Sequence, residues 1–175
     1  MNWTRAILLA VLGSLVVAGA AQINVPMLPV PMTLQTLAVL AIGGAYGSRL
    51  GAATLALYAL EGAVGLPVFA EMHSIFKPDG TIIASIGYIV GFIPAAALVG
   101  WFAERGFDRS IGKMFLATLL GAALLYIPGL IWLGYLFGAE NAVPYGLAPF
   151  WIGDIVKAAI VALGLPAVWN LLGRR

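Results

Sequence analysis

Apolar residues fall into six runs along the chain, each bounded by charges, proline or glycine. They cover Thr4 to Gln22, Met32 to Tyr46, Leu50 to Gly65, Ile82 to Ala103, Met114 to Phe137 and Pro149 to Leu172. The runs do not alternate with period two, so they predict helices and not the strands of a transmembrane barrel. A helix needs about 20 apolar residues to cross a bilayer. The second and third runs are short by that measure and are expected to tilt less or to be partly re-entrant. Between the runs lie three outer loops. "INVPMLPVPMT" (Ile23 to Thr33) has three prolines and no charge, and it predicts a stiff, extended lid or plug. "LPVFAEMHSIFKPDG" is mixed, and "GAENAVPYGLA" is short. "AERGFDRSIGK" is the one long polar stretch on the opposite side.

Composition turns this pattern into a class. Of 175 residues, 62% are hydrophobic and 9% charged, against about 25% charged in soluble domains. Such a chain cannot cover a surface facing water, so the expectation is a single all-α integral membrane domain over residues 1–175. A net charge of +2 does not suggest nucleic acid, and the absence of cysteine excludes disulfide and thiol chemistry. The start, "MNWTRAILLAVLGSLVVAGAAQ", has the shape of a cleaved signal peptide. It is read instead as a retained first helix, because the charge balance below needs it. With the N-terminus cytoplasmic, the inner side collects Arg5, Arg49, Arg105, Arg109, Lys113, Arg174 and Arg175, and the outer side only Lys77. The positive-inside rule then predicts six crossings with both termini cytoplasmic.

Against this background Asp154 and Lys157 stand out. They sit three residues apart in "PFWIGDIVKAAIVALGLPAVW" and so on one helix face. A charge at mid-membrane costs about 2.5–3.5 kcal/mol on the insertion scale, less toward the interface. One reading is an ion pair that pins the helix to a neighbour. The other is a site, open to the outside, for a small polar ligand with donors for Asp154 and acceptors or negative charge for Lys157. Gln35, Tyr88, Tyr126 and Trp132 could face the same cavity, although membrane aromatics more often pack or sit at the interface. Glu61 is a further acid, either a proton relay or simply solvated. His73, the one histidine, has no neighbours that would make a metal site.

The first run also carries Ala6, Ala10, Ser14 and Ala18 at four-residue spacing, a face that lets another helix approach closely, either within the bundle or on a separate subunit. No P-loop is present, so ATP energy would have to come from partners. No GxSxG, HExxH or similar set appears, so neither catalytic nor metal residues are expected. An intramembrane enzyme built on Asp154 and Lys157, and a purely structural subunit, are the remote alternatives.

The combination "PMLPVPMTLQTLAVLAIGG", "GSRLGAATLALYALEGAVGLPVFA", "GYIVGF", "LLYIPGLIWL" and "GLAPFWIGDIVKAA" resembles BioY, the biotin-specific S component of energy-coupling-factor (ECF) transporters. The resemblance runs over most of the chain in order. It implies a six-helix S component in a bacterial or archaeal cytoplasmic membrane that captures biotin from outside, with a transmembrane T component and two cytoplasmic ATPase subunits as partners and no cofactor. Asp154 would accept the ureido N–H groups, and Lys157 would serve the ureido oxygen or the carboxylate. Ala6 and Ala10 would meet the T component. An S component for another vitamin, or a solitary proton-coupled carrier, is the alternative. After GLPVF the stretch "AEMHSIFKPDGTIIASIGY" departs from the family pattern until Gly87-Tyr88, so no ligand contact is carried over from residues 66–81.

Overall fold

A computed structural model describes residues 2–173; Arg174 and Arg175, counted above in the charge balance, lie outside the described residues. The described residues are mainly helical, in the order α1 (Trp3–Gln22), α2 (Gln35–Ala63), α3 (Ile86–Ala103), α4 (Ile111–Phe137), α5 (Ala139–Gly146) and α6 (Trp151–Leu171). Among the described residues, α1, α3, α4 and α6 are long and apolar enough to cross a membrane. This is a multi-pass membrane protein.

The second and third apolar runs are the two arms of α2. Gly47 interrupts the helix at φ 80°, ψ 176°, a region that L side chains rarely enter. A Cβ placed on Gly51 would lie 3.3 Å from the Cα of Gly43. In a straight helix those residues are about 12 Å apart, so the arms, 35–46 and 48–63, fold back on each other. Glu104 closes the turn: its Oε1 accepts the Ser48 amide at 2.7 Å, a carboxylate at the positive end of the second arm. The hairpin packs on α3 through glycines. A Cβ on Gly43 would lie 2.7 Å from the Ala96 carbonyl, and one on Gly100 would overlap the backbone of Gly47 and Ser48. Close backbone approach of this kind is how helices associate where lipid offers no hydrophobic drive.

The loops predicted to lie outside are ordered by short hydrogen-bonded pieces. Within the first, β1 (Asn24–Val25) pairs antiparallel with β2 (Met32–Thr33), and the Leu28–Pro29 bond between them is cis. The proline-rich segment is therefore a pinned hairpin and not an extended rod. In the second, Phe76 bridges Ile82 around Pro78-Asp79-Gly80, a sequence suited to a tight turn. The Ile75 amide donates to the Gly62 carbonyl at 3.0 Å, which ties this hairpin to the end of α2. The third outer loop forms α5, which packs on α4.

The row Ala6, Ala10, Ser14 and Ala18 divides. Ser14 is fully buried and its hydroxyl donates to Glu61 Oε1 at 2.9 Å. Ala18 packs against the core, and Ala6 and Ala10 are half-buried. The large side chains Ile7, Val11 and Leu15 occupy the exposed face.

Candidate ligand site

Asp154 lies in the first turn of α6, where the helix dipole favours an anion. Lys157 follows one turn later on the same face. Both are buried, at 5% and 8% exposure, and Lys157 Nζ donates to Asp154 Oδ1 at 2.8 Å. The Tyr126 hydroxyl, from α4, donates to the other carboxylate oxygen, Oδ2. The cluster is thus charge-balanced, and it ties α6 to α4 as well as facing a cavity. Each carboxylate oxygen keeps one lone-pair direction for a further donor.

The cavity encloses about 500 Å³ of space free of atoms, counted with its open mouth. Asp154, Lys157, Tyr126, Tyr88 and Gln35 all line it. Val30, Pro31 and Thr33 of the first outer loop roof it, and Ile89, Phe92, Leu125 and Phe150 supply an apolar wall. Tyr88 meets Tyr126 edge to face, ring centroids 5.9 Å apart. Its hydroxyl donates to the Gly146 carbonyl of α5 at 2.8 Å, so its ring, more than its polar tip, is what the cavity sees.

Trp132 is placed elsewhere. It lines a separate apolar groove with Ile86, Val90, Pro128 and Tyr135. One and two-thirds turns beyond Tyr126 on α4 it lies on another side of the helix, about 600° of rotation on from that residue. Glu61 is engaged by Ser14 between α1 and α2 and is not part of the cavity lining. His73 pairs with Glu71 at 3.8 Å, and among the described residues no group of His, Cys, Asp and Glu could hold a metal.

Sequence reading missed Thr33, Thr36, Ser85 and Tyr58. The first three line the cavity; Tyr58 acts behind it. Val68 offers a main-chain carbonyl, which can only accept, so the Tyr58 hydroxyl donates to it at 2.9 Å. The Tyr58 oxygen must then accept from Gln35, whose Nε2 lies 2.7 Å away. Gln35 Oε1 in turn accepts the Thr33 hydroxyl at 2.8 Å. One backbone carbonyl therefore fixes which way the Gln35 amide points. No local signal could have shown this, because the partners are 23 and 10 residues apart.

With this geometry in view, comparison with known proteins is decisive. The BioY family model matches residues 1–174. The chain belongs to the BioY family. It is 36% identical to a Pyrococcus horikoshii protein named "Probable biotin transporter BioY", over 82% of this chain and 83% of that one. It is 33% identical to the Thermotoga maritima "Biotin transporter BioY", over 86% of each. The fold is similar to that of a crystal structure of the S component for biotin from an ECF-type transporter, with a TM-score of 0.80 over 97% of this chain and 95% of that one, at 19% identity. The chain thus shares its fold with that S component.

Proposed function

We propose that this BioY chain is the substrate-binding S component that takes biotin from the outer side of a bacterial or archaeal cytoplasmic membrane. The observation that carries the reading is the buried Asp154–Lys157–Tyr126 cluster facing a roofed, mostly apolar cavity. Biotin matches it chemically: a ureido ring with two N–H donors and one carbonyl, and an apolar thioether ring and tail. Asp154 takes the ureido N–H groups on its free lone pairs, and Lys157 or the free N–H of Gln35 serves the ureido oxygen. Charge-assisted bonds in a water-poor site are the strong kind. The reading is a transporter and not an enzyme, in keeping with the family.

In this reading the two arms of α2 and the helices α1, α3, α4 and α6 make six crossings with both termini cytoplasmic. The Gly47 turn and Glu104 mark the inner end, flanked by Arg49, Arg105, Arg109 and Lys113, and the cavity opens at the other end. Energy comes from a T component and two ATPase subunits, with the T component docking beside Ala6 and Ala10 of α1. Ala6→Trp and Ala10→Trp are expected to retain biotin binding and lose co-purification with a co-expressed T component; retained assembly would remove α1 as the docking face.

The primary test is calorimetry of biotin with the purified protein in detergent. One-to-one binding at sub-micromolar Kd supports the reading, and no binding by a folded sample refutes it. Tyr58→Phe frees the Gln35 amide to turn, and a loss of about five- to tenfold in affinity is expected. In a Gln35→Leu background the same change should cost nothing further, since a positioning residue is silent once its target is gone. Additive losses would make Tyr58 a packing residue only.

A further inference from the structure

We infer a second, outer subsite that holds the anionic end of an extended ligand, centred on Lys77. The inference rests on the biotin reading. Pro31, Ala70 and Ser85 line both the central cavity and a neighbouring hollow of about 830 Å³ of atom-free space, counted with its open mouth, so the two adjoin. The hollow lies between the first outer loop and the second, and its polar lining includes Glu71, His73 and Lys77.

Pairing separates the two lysines. In the central cavity Asp154 and Lys157 cancel, and no cation is left over for a carboxylate. In the outer hollow Glu71 faces His73, whereas the Lys77 ammonium has no ion pair or hydrogen bond among the described residues. Its sequence neighbour Asp79 is committed to the Thr81 amide and hydroxyl, at 2.9 and 2.6 Å. Those bonds hold the Asp79 carboxyl below the usual range, with Lys77 adding a smaller pull. A ligand with a neutral, hydrogen-bonding head and a negative tail therefore meets its complement in order: the head at the balanced inner cluster, the tail at the free outer cation.

The subsite is built on fixed backbone. The Lys77 amide donates to the Thr81 carbonyl at 2.8 Å and the Gly80 amide to the Lys77 carbonyl at 2.9 Å, inside the hairpin anchored on Gly62. Glu71, in the same hollow, and Met72 after it occupy the left-handed region, at φ 59° and 57°, an unusual state for two non-glycine residues in succession. Gln22 supports them from α1: its Oε1 accepts the Met72 amide at 3.1 Å and its Nε2 donates to the Phe69 carbonyl at 2.9 Å. Glu71 is then a fixed negative group in the same hollow, opposing an anionic tail.

The test compares biotin with biotinamide, which has the same head but an uncharged tail, on the full-length protein in detergent at low salt. The wild type should bind biotin about two- to fivefold more tightly, the range for a partly exposed charge pair. Lys77→Gln should bring biotin down to the biotinamide level and leave biotinamide unchanged. Lys77→Arg should keep the preference, and Glu71→Gln should increase it. A wild type that binds both ligands tightly and equally, or a Lys77→Gln variant that weakens both alike, overturns the subsite and leaves the biotin reading standing. Binding of neither ligand by the wild type overturns both.

Discussion

Asp154→Asn is expected to lower biotin affinity at least 100-fold and to destabilise the protein at the same time. The substitution removes the negative charge that balances Lys157, which is 8% exposed, and replaces a lone-pair acceptor facing the cavity with an amide. Breaking a buried pair by deleting one partner costs about 3–5 kcal/mol, because the surviving charge is left uncompensated. Lys157→Met is expected to be milder, since Asp154 keeps the Tyr126 donor. The informative variant is the double replacement Asp154→Leu with Lys157→Leu. Exchange of a whole buried pair for apolar side chains is often neutral or stabilising, so its melting temperature should recover toward wild type while binding stays lost. Thermal unfolding in detergent, paired with calorimetry, separates the two roles. If the double variant still binds biotin, the pair is a structural tie between α6 and α4 and the ligand sits elsewhere.

Gly100→Val should produce the largest purely structural effect. The added side chain would occupy the position of the Gly47 and Ser48 backbone, and neither can yield without opening the hairpin turn that Glu104 holds. Overpacking usually costs about 1–3 kcal/mol, and more where the obstruction is backbone; a loss of about 3 kcal/mol is expected, read as a lower melting temperature. Because Gly100 lies on the last turn of α3, at the opposite end of that helix from Tyr88, the folded fraction should bind biotin with unchanged Kd. Gly164→Ala is the control. Nothing lies within 4 Å of a Cβ there, so it should be neutral or slightly stabilising. Equal behaviour of the two variants would mean that the α2–α3 contact is looser than its geometry.

The same contrast explains what could be read early and what could not. Asp154, Lys157, Tyr126, Tyr88 and Gln35 were legible because a polar group among apolar residues is costly unless it is used, and cost is visible in one dimension. Trp132 was misplaced for the same reason it was attractive. It is aromatic and near Pro128-Gly129, but its side of α4 is set by rotation around the helix and by which neighbour packs there. Thr33, Thr36 and Ser85 were overlooked because small hydroxyls are inexpensive in membrane helices and loops and leave no trace in a hydropathy pattern. Tyr58 was invisible because its role is to orient Gln35 across a hydrogen-bond chain closed by a backbone carbonyl.

The sequence by itself determined the membrane environment, the helical class, the approximate apolar segments and the Asp154–Lys157 pair. Each follows from transfer energies and periodicity, which are properties of residues in order along the chain. The tertiary structure decided that the short second and third runs are arms of one hairpin reversing at Gly47, that the loops form small pinned hairpins and a short helix, and that Lys77 lines a hollow adjoining the cavity. Those outcomes depend on close approach between distant backbones, at Gly43 with Ala96 and at Gly100 with Gly47. Such approach is a property of pairs of positions that no single stretch of chain contains.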